Sequence, residues 1–130
     1  MDTLSQSLED YLEIIYNKFV ENDTVRAIDI SRALNVSRAS VTDALNRLNE
    51  KGYINYRRYG HLSITNLGME KAKQIVELHH ELTEFFLNMG IEKEEAEENA
   101  CKIEHVISSN VQKRIAEFNN FCKKNPDFKF

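Results

Sequence analysis

The stretch from Ala27 to Ile64 leaves the chain little choice of fold. Ala27-Ile-Asp-Ile-Ser-Arg-Ala-Leu34 reads as a short helix that breaks at Asn35-Val36. Ser37 is placed to cap a second helix through Val41, Ala44, Leu45 and Leu48, which ends at Gly52, where glycine accepts a left-handed turn. Tyr53-Ile-Asn-Tyr56 and His61-Leu-Ser-Ile64 then alternate as strands around the basic turn Arg57-Arg58-Tyr59-Gly60. Two helices joined by a tight turn, with a hairpin directly behind them, predict a helix-turn-helix with a β-hairpin wing.

The second helix opens with Ser37, Arg38, Ala39 and Ser40 and carries Thr42, Asp43, Asn46 and Arg47. Small hydroxyl and basic side chains near a helix N-terminus can reach phosphates and base edges without being blocked by bulk. The expected contacts to double-stranded DNA are therefore Ser37, Arg38, Ala39, Ser40, Thr42, Asp43 and Arg47 on the helix, with Arg57 and Arg58 on the wing. The plainer alternative is a helical core on which Arg57 and Arg58 are merely solvated.

A net charge of −4 looks wrong for such a role until it is divided along the chain. From Arg26 to Arg58 there are seven Lys or Arg against three Asp or Glu, whereas Glu81 to Glu98 holds seven Glu and one Lys. The basic half is the half with the helix-turn-helix.

The remaining segments read as helices. Gln6 to Phe19 places Leu8, Tyr11, Leu12, Ile15 and Phe19 on one stripe, with Ser5 or Ser7 as cap. Thr65 or Asn66 can cap a long helix to Asn88 that stops at Gly90 and is long enough to enter a second module. Lys93 to Ile107 is an acidic helix, and Ser108 or Ser109 caps a last one through Val111, Ile115, Phe118 and Phe121. The expected fold class is mainly α with a small β-hairpin: a winged-helix DNA-binding domain at 1–68, an all-helical module at 69–122, and a frayed tail at 123–130. No apolar run approaches the ~20 residues of a membrane span, and Met1 to Leu8 is not a signal peptide, so a cytoplasmic protein is expected.

Cys101, Glu104 and His105 stand at i, i+3 and i+4, which on a helix places a thiol, a carboxylate and an imidazole within about one turn. Asp10 with Glu13, and His80 with Glu84, are the pairs that could add donors. Taken singly, each has an ordinary explanation: a buried cysteine, a surface histidine beside His79, a solvated acid. Together they form a mixed nitrogen, oxygen and sulfur set suited to a first-row transition ion rather than to Ca²⁺ or Mg²⁺. A thiol enzyme using Cys101 with His105 is disfavoured, because the motif lies within a helix and no oxyanion-stabilising glycine turn is legible. Two cysteines are too few for a disulfide framework, and sequence does not place Cys101 and Cys122 close enough to pair.

Four separated blocks carry a family resemblance: Ser7-Leu-Glu-Asp-Tyr-Leu-Glu-Ile-Ile-Tyr16, Asn35-Val-Ser37 with Ser40-Val-Thr42, His80-Glu-Leu-Thr-Glu84, and Cys101-Lys-Ile-Glu-His-Val106. In order and spacing the chain resembles the diphtheria-toxin-repressor and manganese-transport-regulator family from about Leu4 to Phe121. The resemblance implies a metal-dependent transcription repressor, not an enzyme, that binds operator DNA as a homodimer through winged helices on a helical dimerisation module. It also implies that metal occupies a site linking the two modules and so controls metal homeostasis.

Carried over by residue, Asp10, Cys101, Glu104 and His105 match one metal position, His80 and Glu84 a neighbouring one, and Glu13 a ligand of the manganese-type members. Glu97 falls where iron-type members have a histidine. The set is a hybrid: manganese-type members have a carboxylate in place of Cys101, and iron-type members a methionine in place of Asp10. Carboxylates at 10, 13, 84, 97 and 104 favour Mn²⁺, while Cys101 pulls toward Fe²⁺ or Zn²⁺. The expected ion is Mn²⁺, then Fe²⁺, with Zn²⁺ or Co²⁺ able to bind in vitro. Ending at Phe130, the chain is expected to lack the C-terminal SH3-like domain of longer relatives. The competing reading is a winged-helix regulator that senses a small organic ligand or thiol oxidation.

Overall fold

The computed structural model describes residues 4–57 and 62–129. In chain order the elements are α1 (Gln6–Asn22), α2 (Ala27–Leu34), α3 (Arg38–Glu50), β1 (Ile54–Tyr56), β2 (Leu62–Ile64), α4 (Asn66–Asn88), α5 (Lys93–Ile103) and α6 (Ser109–Lys124). The chain divides into two compact units, 1–74 and 75–130, and the division falls inside α4.

In the first unit, serines cap the starts of α1 and α3, and left-handed residues stop α1 and α2. Ser5 caps α1 by accepting the Leu8 N–H, and Asp23 ends that helix at φ 59°. Asn35, at φ 54°, closes α2. The turn that follows is tied by its own side chains: the Ser31 hydroxyl donates to the Val36 carbonyl at 2.6 Å, and Ser37 caps α3 by accepting the Ser40 N–H at 3.1 Å. Each such cap contributes about 1 kcal/mol.

The buried faces converge on one core, with Leu12 and Ile15 from α1, Ile30 from α2, Val41, Leu45 and Leu48 from α3, and Ile54 from β1. Burying side chains of this size stabilises by ~1.5–3 kcal/mol each, so the helix-turn-helix is held by its core more than by its caps.

The hairpin is antiparallel, with Ile54 opposite Ile64, Asn55 opposite Ser63 and Tyr56 opposite Leu62. Val25, just ahead of α2, adds a single bridge to Leu62 on the sheet's other side. The expected wing residues Arg58, Tyr59, Gly60 and His61 lie outside the described residues.

Thr65 fastens the start of α4 to the hairpin. Its hydroxyl accepts the Gly68 N–H at 3.0 Å and has two carbonyls within donating distance, Gly52 at 2.7 Å and Tyr53 at 2.9 Å. Gly68 lies so close to Tyr53 that a Cβ there would strike the Tyr53 carbonyl oxygen. Only glycine lets the helix pass the strand at this distance.

In the second unit, Leu78 and Leu82 of α4, Ala100 of α5 and Ile115 of α6 form the core, joined by Phe85, Ile103 and Ile107. Among the described residues of this unit two polar side chains are buried, Glu104 and Asn119. Asn119 donates from Nδ2 to the Glu81 carbonyl at 2.8 Å and to Glu81 Oε2 at 2.7 Å, and accepts from Asn88 at 3.1 Å. Beyond α6 the chain returns on itself, so that the Phe128 ring stands edge-on to Phe121 and Phe118, at 5.4 and 6.2 Å.

The acidic helix is shorter than its sequence suggests. It ends at Ile103, Glu104 is its C-cap, and the Val106 N–H bonds back to the Ile103 carbonyl, tightening the last turn. Val106 and Ile107 are β-branched and lead directly into Ser108, the cap of α6, which leaves no room for a further α-helical turn.

Candidate metal centre and nucleic-acid interface

The buried stripe of α5 runs through Ala96, Ala100 and Glu104, at i, i+4 and i+8. A carboxylate therefore continues an alanine row into the interior. The Glu104 and His105 side chains are 1% and 2% exposed. Glu104 Oε2 lies 2.8 Å from His79 Nδ1 on α4, within hydrogen-bond distance. Its other oxygen, Oε1, is buried and accepts no hydrogen bond among the described residues. His105 Nε2 lies 3.5 Å from that oxygen, beyond a good hydrogen bond.

This pair fits a metal ion. A buried carboxylate oxygen without a partner costs free energy unless something positive meets it. Two donors each about 2.1 Å from one first-row ion stand roughly 3.0–3.5 Å apart. Oxygen with imidazole nitrogen suits such an ion.

The other expected donors are placed as follows. Cys101 and Glu97, four apart, occupy the row next to the buried stripe and are exposed. His80 is exposed, its ring 6.1 Å from that of His79. Glu84 is half-buried, with Lys123 Nζ 3.7 Å from its Oε1. Asp10 and Glu13, on α1 in the first unit, are partly buried. No group of three or more His, Cys, Asp or Glu side chains is gathered for metal binding among the described residues. His79 is the participant that sequence reading passed over. Its only signal was position, three residues before Leu82 on the flank of the buried stripe of α4.

On the first unit, α3 turns its core residues inward and leaves Ser37, Arg38, Ala39, Ser40, Thr42, Asp43 and Arg47 exposed along one side. Arg47 and Asp43 form an exposed ion pair at 3.1 Å. Such a pair contributes little to stability, so the arginine is readily released to a phosphate. Arg57, at the end of β1, is also exposed, and Arg58 lies outside the described residues. A second unforeseen residue sits here: Asn49 Oδ1 accepts the Tyr56 N–H at 3.0 Å, tying the wing to the end of α3. Beside α3, a shallow groove of about 340 Å³ is floored by Leu8, Tyr11 and Ala44 and rimmed by Ser40, Asp43 and Arg47. Burial, and secondarily the Asp43 charge, hold the Tyr11 phenol above its ordinary pKa.

A winged helix presenting a basic, hydroxyl-lined face defines a DNA-binding module, and in the second unit one oxygen of a buried carboxylate stands near an imidazole with no hydrogen bond among the described residues. Comparison with known proteins agrees. The iron dependent repressor N-terminal DNA binding domain matches residues 3–62, and the iron dependent repressor metal binding and dimerisation domain matches residues 65–129. An uncharacterised HTH-type transcriptional regulator of Methanocaldococcus jannaschii is 35% identical over 117 residues, covering 88% of this chain and 94% of its own. The HTH-type transcriptional regulator MntR of Lysinibacillus sphaericus is 34% identical over 121 residues, covering 93% and 87%. A solved manganese-dependent transcriptional repressor in complex with manganese shares the fold, with a TM-score of 0.77 and 24% identity over 88% of this chain and 53% of that one. The chain belongs to the iron-dependent repressor family, which includes the MntR regulators. This is a family of transcription regulators, not of enzymes. Among the described residues no helix is long and apolar enough to cross a membrane.

Proposed function

We propose that this protein is a metal-dependent transcriptional repressor that binds operator DNA as a homodimer when a divalent first-row ion is present, and so controls metal homeostasis in the cytoplasm. The observation that carries this reading is the buried Glu104 Oε1, which has no hydrogen-bond partner among the described residues, with His105 Nε2 3.5 Å away. Glu104 and His105 hold the ion, with Asp10, Glu13 and Cys101 as further donors and His80, Glu84 and Glu97 as a neighbouring set. The ion is Mn²⁺ in preference to Fe²⁺, because carboxylates dominate the donors. When bound, it supplies the positive charge that a buried carboxylate otherwise lacks.

DNA is met by α3 through Ser37, Arg38, Ala39, Ser40, Thr42, Asp43 and Arg47, with Arg57 and Arg58 gripping phosphate from the wing. In a dimer, two such helices enter successive major grooves about 34 Å apart. By linkage, operator DNA tightens metal binding by the factor with which metal tightens DNA binding.

The test is operator affinity across a series of Mn²⁺, Fe²⁺, Co²⁺ and Zn²⁺, with His105→Ala, Asp10→Ala and Cys101→Ala as controls. Tighter binding with Mn²⁺ that is lost in His105→Ala is expected. Equal affinity in chelator and in saturating metal would sink the reading and favour an organic ligand or thiol oxidation as the signal.

A further inference from the structure

The two oxygens of Glu104 have different surroundings. Oε2 is 2.8 Å from His79 Nδ1, while Oε1 is buried, accepts no hydrogen bond among the described residues and stands 3.5 Å from His105 Nε2. The terminal torsion of a glutamate is broad and roughly two-fold, so a carboxylate bonded through neither oxygen would sample many orientations. A bond to one oxygen removes that freedom and decides where the other points.

We propose that His79 is a positioning residue of the metal centre. It donates its Nδ1–H to Glu104 Oε2 and thereby keeps Oε1 turned toward His105 Nε2, the side on which the ion is held. The inference rests on the reading of Glu104 and His105 as ligands. It assigns a residue outside that set to a defined role.

Three features single out His79. An ionised carboxylate only accepts, so the proton of this bond sits on Nδ1, which fixes the tautomer. Nδ1, engaged with Oε2, is unavailable to an ion, so through this nitrogen His79 acts on the carboxylate and not on the ion. Its place on α4 is secured from behind, because the Thr83 hydroxyl donates to the His79 carbonyl at 2.9 Å and Leu78 and Leu82 on either side are buried in the core. The arrangement therefore links α4 to the end of α5 through a side chain that is itself only 26% exposed. Outer partners of this kind typically tune metal affinity by about 10–100-fold.

The experiment is calorimetric titration of the full-length protein with Mn²⁺, with unfolding in chelator measured in parallel. His79→Ala should bind Mn²⁺ about 10–100-fold more weakly than the parent at unchanged stoichiometry. His79→Asn should recover most of the loss, because its amide N–H is carried at nearly the same distance from the backbone as Nδ1. Electron spin-echo spectra should show the same nitrogen coupling to Mn²⁺ in parent and His79→Ala. Parent-like affinity in His79→Ala, failure of His79→Asn to recover, or loss of a nitrogen coupling in His79→Ala would each overturn the role. The underlying reading fails separately, through His105→Ala: if that variant binds Mn²⁺ as the parent does, Glu104 and His105 are not the ligands.

Discussion

Asn49, in the last turn of α3, holds the N–H of Tyr56 on β1 at 3.0 Å. Helix α3 and the hairpin are thus joined by a hydrogen bond, and not only by the core beneath them. Replacing Asn49 with Ala leaves that N–H to water and should lower stability by only about 0.5–1.5 kcal/mol. Operator affinity should fall more than stability does, because the wing loses its set against the helix. Denaturant melts alongside operator titrations check this, and an operator affinity equal to the parent's would remove Asn49 from the interface.

Arg57 is exposed at the end of β1. If it meets a phosphate, Arg57→Ala weakens binding across all sequences and reduces the slope of log affinity against log salt by about 0.9. Titrations at several salt concentrations read the slope directly. An unchanged slope would take Arg57 off the backbone.

Tyr11 offers a test by pH. Its phenol is raised by burial first and by the neighbouring Asp43 charge second. The fold favours the neutral form, so this contribution is fully present below about 10, the ordinary tyrosine value, and is lost as pH climbs through the higher folded value. Ultraviolet difference titration of the parent against Tyr11→Phe should show one phenol ionising late. Asp43→Asn should bring it down only part of the way, since burial is the larger cause.

Gly68→Ala should be among the more damaging single-methyl changes in the first unit. The added carbon meets a backbone carbonyl at Tyr53 and lies within 2.8 Å of Ile64 Cγ1, and a carbonyl built into the hairpin cannot swing aside. A loss of about 1–3 kcal/mol is expected, visible as a thermal midpoint several degrees lower. A melt unchanged from the parent would show that α4 can move off the strand.

Asn119 is 2% exposed and spends both amide hydrogens on Glu81. Asn119→Ala should cost about 1.5–3 kcal/mol, because one of the lost bonds goes to a charged group. Asn119→Asp should cost more, since it sets a second carboxylate against that of Glu81. Urea denaturation ranks the two, and the reverse order would mean that the Glu81 carboxylate turns away.

Local rules account for what could be read in advance. Ser37 as a cap, the break at Asn35, Gly52 as a left-handed stop and the alternation of the two strands are set by neighbours in the chain, so the helix-turn-helix and the hairpin strands were legible residue by residue. The expected end of α5 at Ile107 was set aside at Ile103, because tightening of the last turn and entry into α6 compete for the same few residues. His79, Asn49 and Asn119 were illegible for a common reason: their partners lie 25, 7 and 38 positions away, and no pattern on a single element announces a hydrogen bond to another. His80 drew notice through its spacing to Glu84, whereas the carboxylate of Glu104 is met by the histidine before it. One step along a helix turns a side chain by about 100°, enough to separate a flank that faces the core from one that faces solvent.

The bridge between Val25 and Leu62 gives the wing a kinetic position as well as a spatial one. Its strands are near neighbours in sequence, yet the pairing that completes their sheet encloses all of α2, α3 and β1 within a single loop. Loop closure of that kind costs entropy that a hairpin alone does not, and helices form on shorter timescales than hairpins. The order of assembly should be helices, then core, then wing, so the hairpin is completed last and opens first.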